Sequence, residues 1–251
     1  MLLQNKTAIV YGAAGPVGGA VAAAFAREGA RVVLAGRTQQ TLAKVAEQIR
    51  DAGGNVETAV VDVTDKAAMR AHADEVAATG GIDIAFNATS NDDLQGIPLL
   101  DMDFTDFARP VSKAIATHFI IATVTARHMT NRGGVILAMG GGREAIPNLG
   151  GSHVAWSALA GLCRQLASEL GSRGIRVAWL LSPGSPDVGS PDPGDRTPGD
   201  QNPGDPLPPT MLLGRRPSYA DVANAAVFAA SDWAATMTAA EINLTGGAVI
   251  D

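Results

Sequence analysis

The sequence predicts an α/β fold with a doubly wound parallel sheet, formed as a single domain over residues 1–251. Short strand-like apolar runs alternate with helical stretches of about 10–15 residues, and this alternation favours parallel strands joined by helices. With 251 residues and 46% hydrophobic content, the chain can bury a core of the size that one α/β domain needs.

The strands are predicted from apolar runs rich in Val, Ile and Ala that end at glycine or polar residues. They are KTAIVY at 6–11, RVVLAG at 31–36, NVETAVVDV at 55–63, IDIAFN at 82–87, GGVILAMG at 133–140, IRVAWLL at 175–181 and AEINLTGG at 240–247. Seven strands of this kind predict a sheet that is covered on both faces.

The helices are predicted from apolar residues at helical spacing, several of them ended by glycine. They are an alanine-rich helix within 12–30 and further helices at 41–54, 65–81, about 102–130, 153–174 and 219–232. Each lies between two predicted strands, as the crossovers of a parallel sheet require.

One segment, 183–209, interrupts the alternation. It contains 9 of the 14 prolines in the chain, and PGD recurs in it at a spacing of five residues. Proline blocks helix and removes backbone donors, and the segment has few apolar side chains to bury. It is interpreted as a mobile surface loop or as a lid over a site at the carboxyl end of a central strand.

Composition and charge narrow the classes of partner. A net charge of −6 and a pI near 5.2 argue against nucleic acid and anionic membranes, which bind clustered Lys and Arg. No apolar run approaches the roughly 20 residues of a membrane span, and no leader precedes the first strand, so a cytoplasmic protein is expected. The single cysteine, Cys163, excludes an intrachain disulfide, and no cluster of histidines and carboxylates predicts a metal.

The stretch GAAGPVG places Gly12, Gly15 and Gly18 between a strand and a helix. In this context glycines permit a tight turn and close backbone approach, and a pyrophosphate can sit on the helix N-terminus. We therefore predict a Rossmann-type dinucleotide site that also includes Val17. The alternative is a glycine turn that merely closes a strand–helix unit.

The end of the second strand predicts the type of nucleotide. A site for NAD usually has Asp or Glu here to hold the ribose hydroxyls, whereas this chain has Gly36 followed by Arg37. A guanidinium can bind a 2′-phosphate with two hydrogen bonds, and the missing carboxylate removes a repulsion. NADP(H) is therefore the predicted cofactor, unless Arg37 is only a solvated loop residue.

The order of these motifs resembles the short-chain dehydrogenase/reductase family over essentially the whole chain. The matching stretches are the glycine turn, AGR at 35–37, VDVT at 61–64, IDIAFNATS at 82–90, GLCRQLASELGSRGIRV at 161–177, SPGS at 182–185 and LTGGAVID at 244–251. The resemblance implies that Asp62 and Val63 border the adenine, that Asn87 borders the adenine ribose, and that Pro183 and Gly184 lie near the nicotinamide. The family's Asn-Asn-Ala-Gly is Asn-Ala-Thr-Ser here, with only the first asparagine retained.

The resemblance also implies a Tyr-x-x-x-Lys pair, a serine and a helix asparagine at the catalytic centre. Aligned on GLCRQLA, the tyrosine position is Ser152, the lysine position is Trp156, the serine position is Met139 and the asparagine position is Ala114. No Tyr-x-x-x-Lys exists elsewhere, because the two tyrosines, Tyr11 and Tyr219, are followed four residues later by glycine and alanine. The usual proton relay is therefore expected to be missing, and occupancy of the nicotinamide end is in doubt.

The replacements allow more than one role. Trp156 is expected to project toward the nicotinamide ribose, either filling vacated space or offering a stacking surface for a flat ligand. Arg143 is expected at the pocket rim, where it binds an anionic or carbonyl substrate or is simply solvated. Two histidines on the long helix, His118 and His128, are predicted to lie at the surface or at an interface.

Three functions remain open from the sequence. The first, narrowly preferred, is an enzyme of non-redox or substrate-assisted chemistry on a small biosynthetic intermediate. The second is an NADPH-dependent oxidoreductase with an unusual proton donor, and the third is an inactive NADP(H)-binding protein or partner subunit. Resemblance to the family, with apolar runs on the long helix and on the helix after it, also predicts a homodimer or homotetramer.

Overall fold

A computed structural model describes residues 1–129, 133–182 and 211–250. Its centre is a seven-stranded sheet in the order β3-β2-β1-β4-β5-β6-β7, and every neighbouring pair is parallel. The strands are β1 (Thr7–Tyr11), β2 (Arg31–Gly36), β3 (Asn55–Val60), β4 (Ile84–Asn87), β5 (Gly134–Gly140), β6 (Ile175–Leu181) and β7 (Ala240–Asn243). The predicted fold class is confirmed.

In the part of the chain that the structure describes, six α-helices cover the two faces of the sheet. They are α1 (Pro16–Arg27), α2 (Gln39–Asp51), α3 (Lys66–Ala78), α4 (Phe104–Met129), α5 (Ser152–Leu170) and α6 (Tyr219–Ala230). One apolar core lies between the sheet and α1, α2 and α6, and a second lies between the sheet and α3, α4 and α5. The doubly wound arrangement therefore buries both faces of the central strands.

Local side-chain bonds explain where several elements begin and end. Asp65 accepts hydrogen bonds from the first backbone amides of α3, and Ser218 and Asp221 form a reciprocal capping box at α6. The last strand stops at Asn243, before the predicted 247, because the Asn243 carboxamide accepts from the backbone and hydroxyl of Thr245. Such caps divert the backbone from helix or sheet pairing.

The strand order reverses between β1 and β4, whose neighbours lead away in opposite directions. A crevice forms above the carboxyl ends of strands at such a switch point, and ligands of doubly wound sheets bind there. The predicted segment 183–209 lies outside the described residues. The fold therefore directs attention to the loops after β1, β2, β4 and β5.

Candidate functional site

A cavity of about 470 Å³ opens at this switch point. The residues predicted to bind a nucleotide that line it are Gly12, Gly15, Val17, Gly18, Arg37, Asp62 and Val63. Asn87 lies just beneath, at the end of β4, where its side-chain oxygen accepts hydrogen bonds from the amide and hydroxyl of Thr89. Pro183 and Gly184 lie outside the described residues. The cavity is here called the nucleotide cavity.

The glycine turn forms the floor of this cavity and leaves no room for side chains. Gly12 has a φ of 78°, and a Cβ there would lie 2.5 Å from the Ala88 carbonyl oxygen. A Cβ on Gly18 would lie 2.3 Å from the Gly12 carbonyl oxygen. Pro16 is the first residue of α1 and Gly15 is its N-cap, so no side chain covers the N-terminal amides of the helix. Amides exposed in this way suit an anion.

Two cations stand beside the nucleotide cavity. Arg37 follows β2, and Lys113 reaches the cavity from α4. Lys113 forms an ion pair with Asp92, and this hydrogen bond is the main reason that the pKa of Asp92 lies below its usual value. Asp92 has a left-handed backbone with a φ of 52°, a conformation that aspartate tolerates better than most residues.

Asp62 completes the polar rim. Its carboxylate accepts from the hydroxyl and the amide of Thr64, at 2.7 and 2.9 Å. These bonds lower the pKa of Asp62, and the charges of Arg37 and Lys113 lower it further. The sequence interpretation missed Lys113 as a site residue, although its place directly before Ala114 was a usable signal.

The Ser152 side chain is buried, and its hydroxyl is already engaged in two hydrogen bonds. It begins α5 with 1% of its surface exposed, its hydroxyl donates to Asp93 Oδ2 at 2.6 Å, and its oxygen accepts from Gln95 Nε2 at 3.1 Å. Gln95 also donates to the same Asp93 oxygen. The hydroxyl therefore fastens the segment after β4 to the start of α5.

The other residues at the implied catalytic positions are apolar and packed. Ala114 is 3% exposed on α4, and Met139, near the end of β5, packs on the core beneath α1 and α6. The indole of Trp156 lies against Gly141, where an added Cβ would come within 2.0 Å of the ring. Trp156 thus lines a second cavity, together with Arg143, and not the nucleotide cavity.

Neither tyrosine of the chain lies at the start of α5. Tyr11 is completely buried in β1, and burial raises the pKa of its hydroxyl far above the ordinary value. Within the described residues that hydroxyl has no hydrogen-bond partner, and the ring packs edge-on against His72. Tyr219 is the first residue of α6, not of α5.

The prediction of a surface or interface position is wrong for His118. The ring is fully buried, with Nε2 3.4 Å from the Cys163 sulfur, because α4 and α5 pack together at this point. Burial lowers the pKa of His118 to about 4. His128 instead lies near the surface, 3.1 Å from Asp74.

Across residues 1–129, 133–182 and 211–250, no group of three or more His, Cys, Asp and Glu side chains is placed to hold a metal ion. None of the helices in this part of the chain is both long and apolar enough to span a bilayer.

Comparison with known proteins gives full-length matches. The family model for enoyl-(acyl carrier protein) reductases matches residues 12–249. The D-threitol dehydrogenase of Mycolicibacterium smegmatis is 31% identical, with 99% of this chain and 94% of the relative covered. The uncharacterized oxidoreductase YxbG of Bacillus subtilis is 30% identical, with 98% and 91% covered.

A solved structure supports the same assignment. A 7α-hydroxysteroid dehydrogenase, in complex with NADH and 7-oxo glycochenodeoxycholic acid, is 26% identical and superposes with a TM-score of 0.81. The alignment covers 99% of this chain and 96% of that one. The sequence matches and the structural match therefore point to the same group of related proteins.

Proposed function

The chain belongs to the short-chain dehydrogenase/reductase family, and from this we propose that it is an NADP(H)-dependent oxidoreductase acting on a small molecule without a tyrosine proton donor. The names of the relatives support redox chemistry, since they include a threitol and a hydroxysteroid dehydrogenase. They favour this function over the non-redox chemistry that the sequence narrowly preferred.

The residues of the nucleotide cavity fit a dinucleotide. The space that a Cβ on Gly12 or Gly18 would fill is already taken by neighbouring backbone. These glycines therefore allow the turn to pack tightly beside the α1 N-terminus, with no side chain over its amides. The amides of that turn would hold the pyrophosphate. When bound, the nicotinamide supplies or accepts the hydride of the reaction.

The observation that carries the proposed preference for NADP(H) is Arg37 at the cavity, with Lys113, already paired with Asp92, in a secondary role. Arg37 stands directly after β2, where the 2′ position of the adenine ribose is expected, and Gly36 offers no carboxylate to repel a phosphate. A guanidinium binds phosphate through two parallel hydrogen bonds. We propose that Lys113 adds a second positive charge on the α4 side.

The proton of the reaction needs a source other than the residues at the implied catalytic positions. The Ser152 hydroxyl already donates to Asp93, and Arg143 is paired with Glu241. Ala114 and Met139 carry no exchangeable proton. We propose that water or the substrate itself completes the proton transfer, which favours a conjugated alkene or an iminium as hydride acceptor over a simple ketone.

The bonded Ser152 favours a second candidate, a protein that binds NADP(H) but performs non-redox chemistry or none. In that case segment 91–96, which Ser152 holds against α5, blocks access to the positions implied to be catalytic. Bound nucleotide then stabilises the protein or its assembly into oligomers. Both candidates bind NADP(H) in the nucleotide cavity, and only the first oxidises or reduces it during turnover.

Titration with NADPH and NADH, followed by nucleotide fluorescence, tests the proposal. Arg37→Ala is expected to weaken NADPH binding about tenfold or more, because a charge-assisted hydrogen bond contributes about 1.5–3 kcal/mol. NADH binding should change little. Lys113→Ala should have a smaller effect in the same direction, and Arg70→Ala, an exposed arginine on α3, is the matched control. Equal affinity of the wild-type protein for both nucleotides would contradict the preference.

Turnover separates the two candidates. NADPH oxidation is measured against panels of conjugated alkenes, imines and ketones. Oxidation with alkenes or imines but not ketones supports the proposed hydride acceptors. Tight NADPH binding without any oxidation across the panels would favour the non-redox candidate.

We also propose a homodimer or homotetramer. Ile115 and Phe119 on α4 and Val154 on α5 are exposed by 38%, 44% and 41%, which is much apolar surface on two helices that lie side by side. Sedimentation should give a multiple of the 25.6 kDa chain mass, and Phe119→Asp should lower it. A monomeric wild-type protein would contradict this proposal.

A further inference from the structure

A second cavity, of about 190 Å³, lies between α5 and the carboxyl ends of β5, β6 and β7. It shares no lining residue with the nucleotide cavity. Nothing in the proposed redox chemistry uses it, and an inference about it stands independently of the proposed function. It is here called the tryptophan cavity, after Trp156 and Trp179, which line it.

Two of the three tryptophans in the chain form the apolar walls. Trp156 is held against the backbone of Gly141, which no larger residue could replace without moving the ring. Trp179 belongs to β6 and is 2% exposed. The Trp179 ring is therefore covered, whereas Trp156 is half-buried and offers its indole to a planar ligand, because rings stack with offset or edge contacts on an indole.

Among the residues that the structure describes, Glu241 is the one carboxylate that lines the cavity, and both its oxygens are already hydrogen-bonded. Glu241 Oε2 accepts from the Trp179 indole nitrogen at 2.7 Å, and Glu241 Oε1 accepts from Arg143 Nε at 2.9 Å. These bonds fix the Trp179 ring and place Arg143 at the cavity edge. Glu241 therefore has little capacity left to repel an incoming anion.

A second cation remains for a ligand. The Arg164 guanidinium lies 4.9 Å from the centre of the Trp179 ring. Within the described residues it forms no ion pair with a carboxylate. Of the described side chains that line the cavity, two are arginines and one is a glutamate, which gives this described lining one net positive charge.

We infer that the tryptophan cavity binds a small aromatic carboxylate, with the ring on the Trp156 indole and the carboxylate on Arg164, which itself rests on the Trp179 ring. The volume is below the roughly 300 Å³ at which pockets for drug-sized ligands begin, so a single ring with one acidic group is the expected size. A carboxylate would form a bidentate pair with the guanidinium, and the indole beneath Arg164 holds that guanidinium in place.

The test follows benzoate binding by the indole N–H signals of ¹⁵N-labelled protein. Benzoate is expected to shift the signals of Trp156 and Trp179 and to leave Trp233, which is 75% exposed elsewhere, unchanged. Benzamide, which lacks the charge, and cyclohexanecarboxylate, which lacks the flat ring, should each bind at least about tenfold more weakly, corresponding to about 1.4 kcal/mol.

Variants locate the site. Arg164→Gln should weaken benzoate binding about tenfold, whereas Arg173→Gln, an exposed arginine just beyond α5, should not. Trp156→Leu is the second variant, with the Trp179 signal still reporting on binding. NADPH at saturation should leave benzoate binding unchanged.

Several results would overturn the inference. They are equal binding of benzoate and benzamide, absence of any shift at Trp179 at millimolar benzoate, or displacement of benzoate by NADPH. Failure of the wild-type protein to bind NADPH would contradict the proposed function but not this inference, because benzoate binding is measured without nucleotide.

Discussion

The nucleotide cavity and the start of α5 lie at the same edge of one sheet, yet they differ in what holds them. The nucleotide cavity is shaped by backbone: a turn at Gly12, a close contact at Gly18 and bare amides at the α1 N-terminus. The start of α5 is shaped by side chains, with Ser152 bonded to Asp93 and Gln95. The cavity proposed to bind nucleotide is therefore shaped by backbone, while the positions implied to be catalytic are packed or hydrogen-bonded.

The difference shows that a fold can preserve one half of a site independently of the other. Backbone geometry at the glycine turn depends on residues close in sequence, and any ligand with a pyrophosphate can use it. Proton relay depends on a few side chains, and at the four positions that the resemblance implies, the side chains observed are hydrogen-bonded or packed. Family membership thus supports cofactor binding more directly than it supports a mechanism.

Gly18→Ala is the largest expected disruption of the nucleotide half. The new Cβ would lie 2.3 Å from the Gly12 carbonyl oxygen and 2.9 Å from Ala13 Cα, and backbone atoms cannot turn aside as a side chain can. We expect the free energy of unfolding to fall by about 1–3 kcal/mol and NADPH affinity to fall by more than about tenfold. Chemical denaturation and nucleotide titration measure the two effects.

The matched control is Gly161→Ala, also a glycine inside a helix. A Cβ on Gly161 meets nothing within 4 Å, so the helix should gain about 0.5–1 kcal/mol and nucleotide binding should stay the same. Unchanged NADPH affinity in Gly18→Ala would show that the turn does not hold the nucleotide.

The sequence was sufficient for the parts of the site that are local. The strand–turn–helix pattern predicted that Gly12, Gly15 and Gly18 line the cavity. The position of Arg37 directly after β2 predicted the same for its side chain. Both predictions depend only on residues that are neighbours in the sequence. Some strand bounds also agree: β2 spans the predicted 31–36, whereas β3 and β7 end three and four residues before the predicted 63 and 247. Apolar runs and helical spacing of apolar residues predict these elements from the local sequence, without knowledge of tertiary contacts.

The contacts that close the catalytic positions could not be predicted in this way. Ser152 and Asp93 are 59 residues apart in sequence, and Lys113 and Asp92 are 21 apart. No pattern in the chain marks such pairs, because they arise when loops after β4 and β5 meet. The place of Trp156 against Gly141 is likewise a consequence of how the loop after β5 packs.

Acid should weaken the packing of α4 against the middle of α5, where His118 meets Cys163. The pKa of His118 is about 4 in the fold because the ring is buried, against about 6.5 in the unfolded chain. The unfolded state therefore binds the proton more readily, and the stabilisation is present above pH 6.5 and lost as pH falls from 6.5 to 4. The loss should reach about 3 kcal/mol.

Denaturation of the wild-type protein and of His118→Leu across pH 7 to 4 measures this effect. Leucine is apolar, of similar size and does not titrate. The free energy of unfolding of the variant should therefore decline much less as the pH falls. A residual decline of the same sign is expected from His72, whose pKa is also lowered by burial. Identical pH profiles for the two proteins would mean that His118 is not titrated on unfolding.

Ser152→Ala should have the smallest of these effects and the most direct bearing on the comparison. The variant removes the hydroxyl that donates to Asp93 and accepts from Gln95, and a hydrogen bond to a charged group contributes about 1.5–3 kcal/mol. We expect the free energy of unfolding to fall by about 2 kcal/mol and NADPH affinity to stay the same, since Ser152 does not line the nucleotide cavity.

Ser157→Ala, an exposed serine on the same helix, is the control and should change stability by less than about 0.5 kcal/mol. Once a substrate is known, turnover decides the role of Ser152. A fall in kcat together with the fall in stability, reversed by Ser152→Thr, fits a residue that positions the segment after β4. A loss of turnover at unchanged stability would instead make Ser152 an acid or base, and the catalytic half would then be remodelled and active instead of closed.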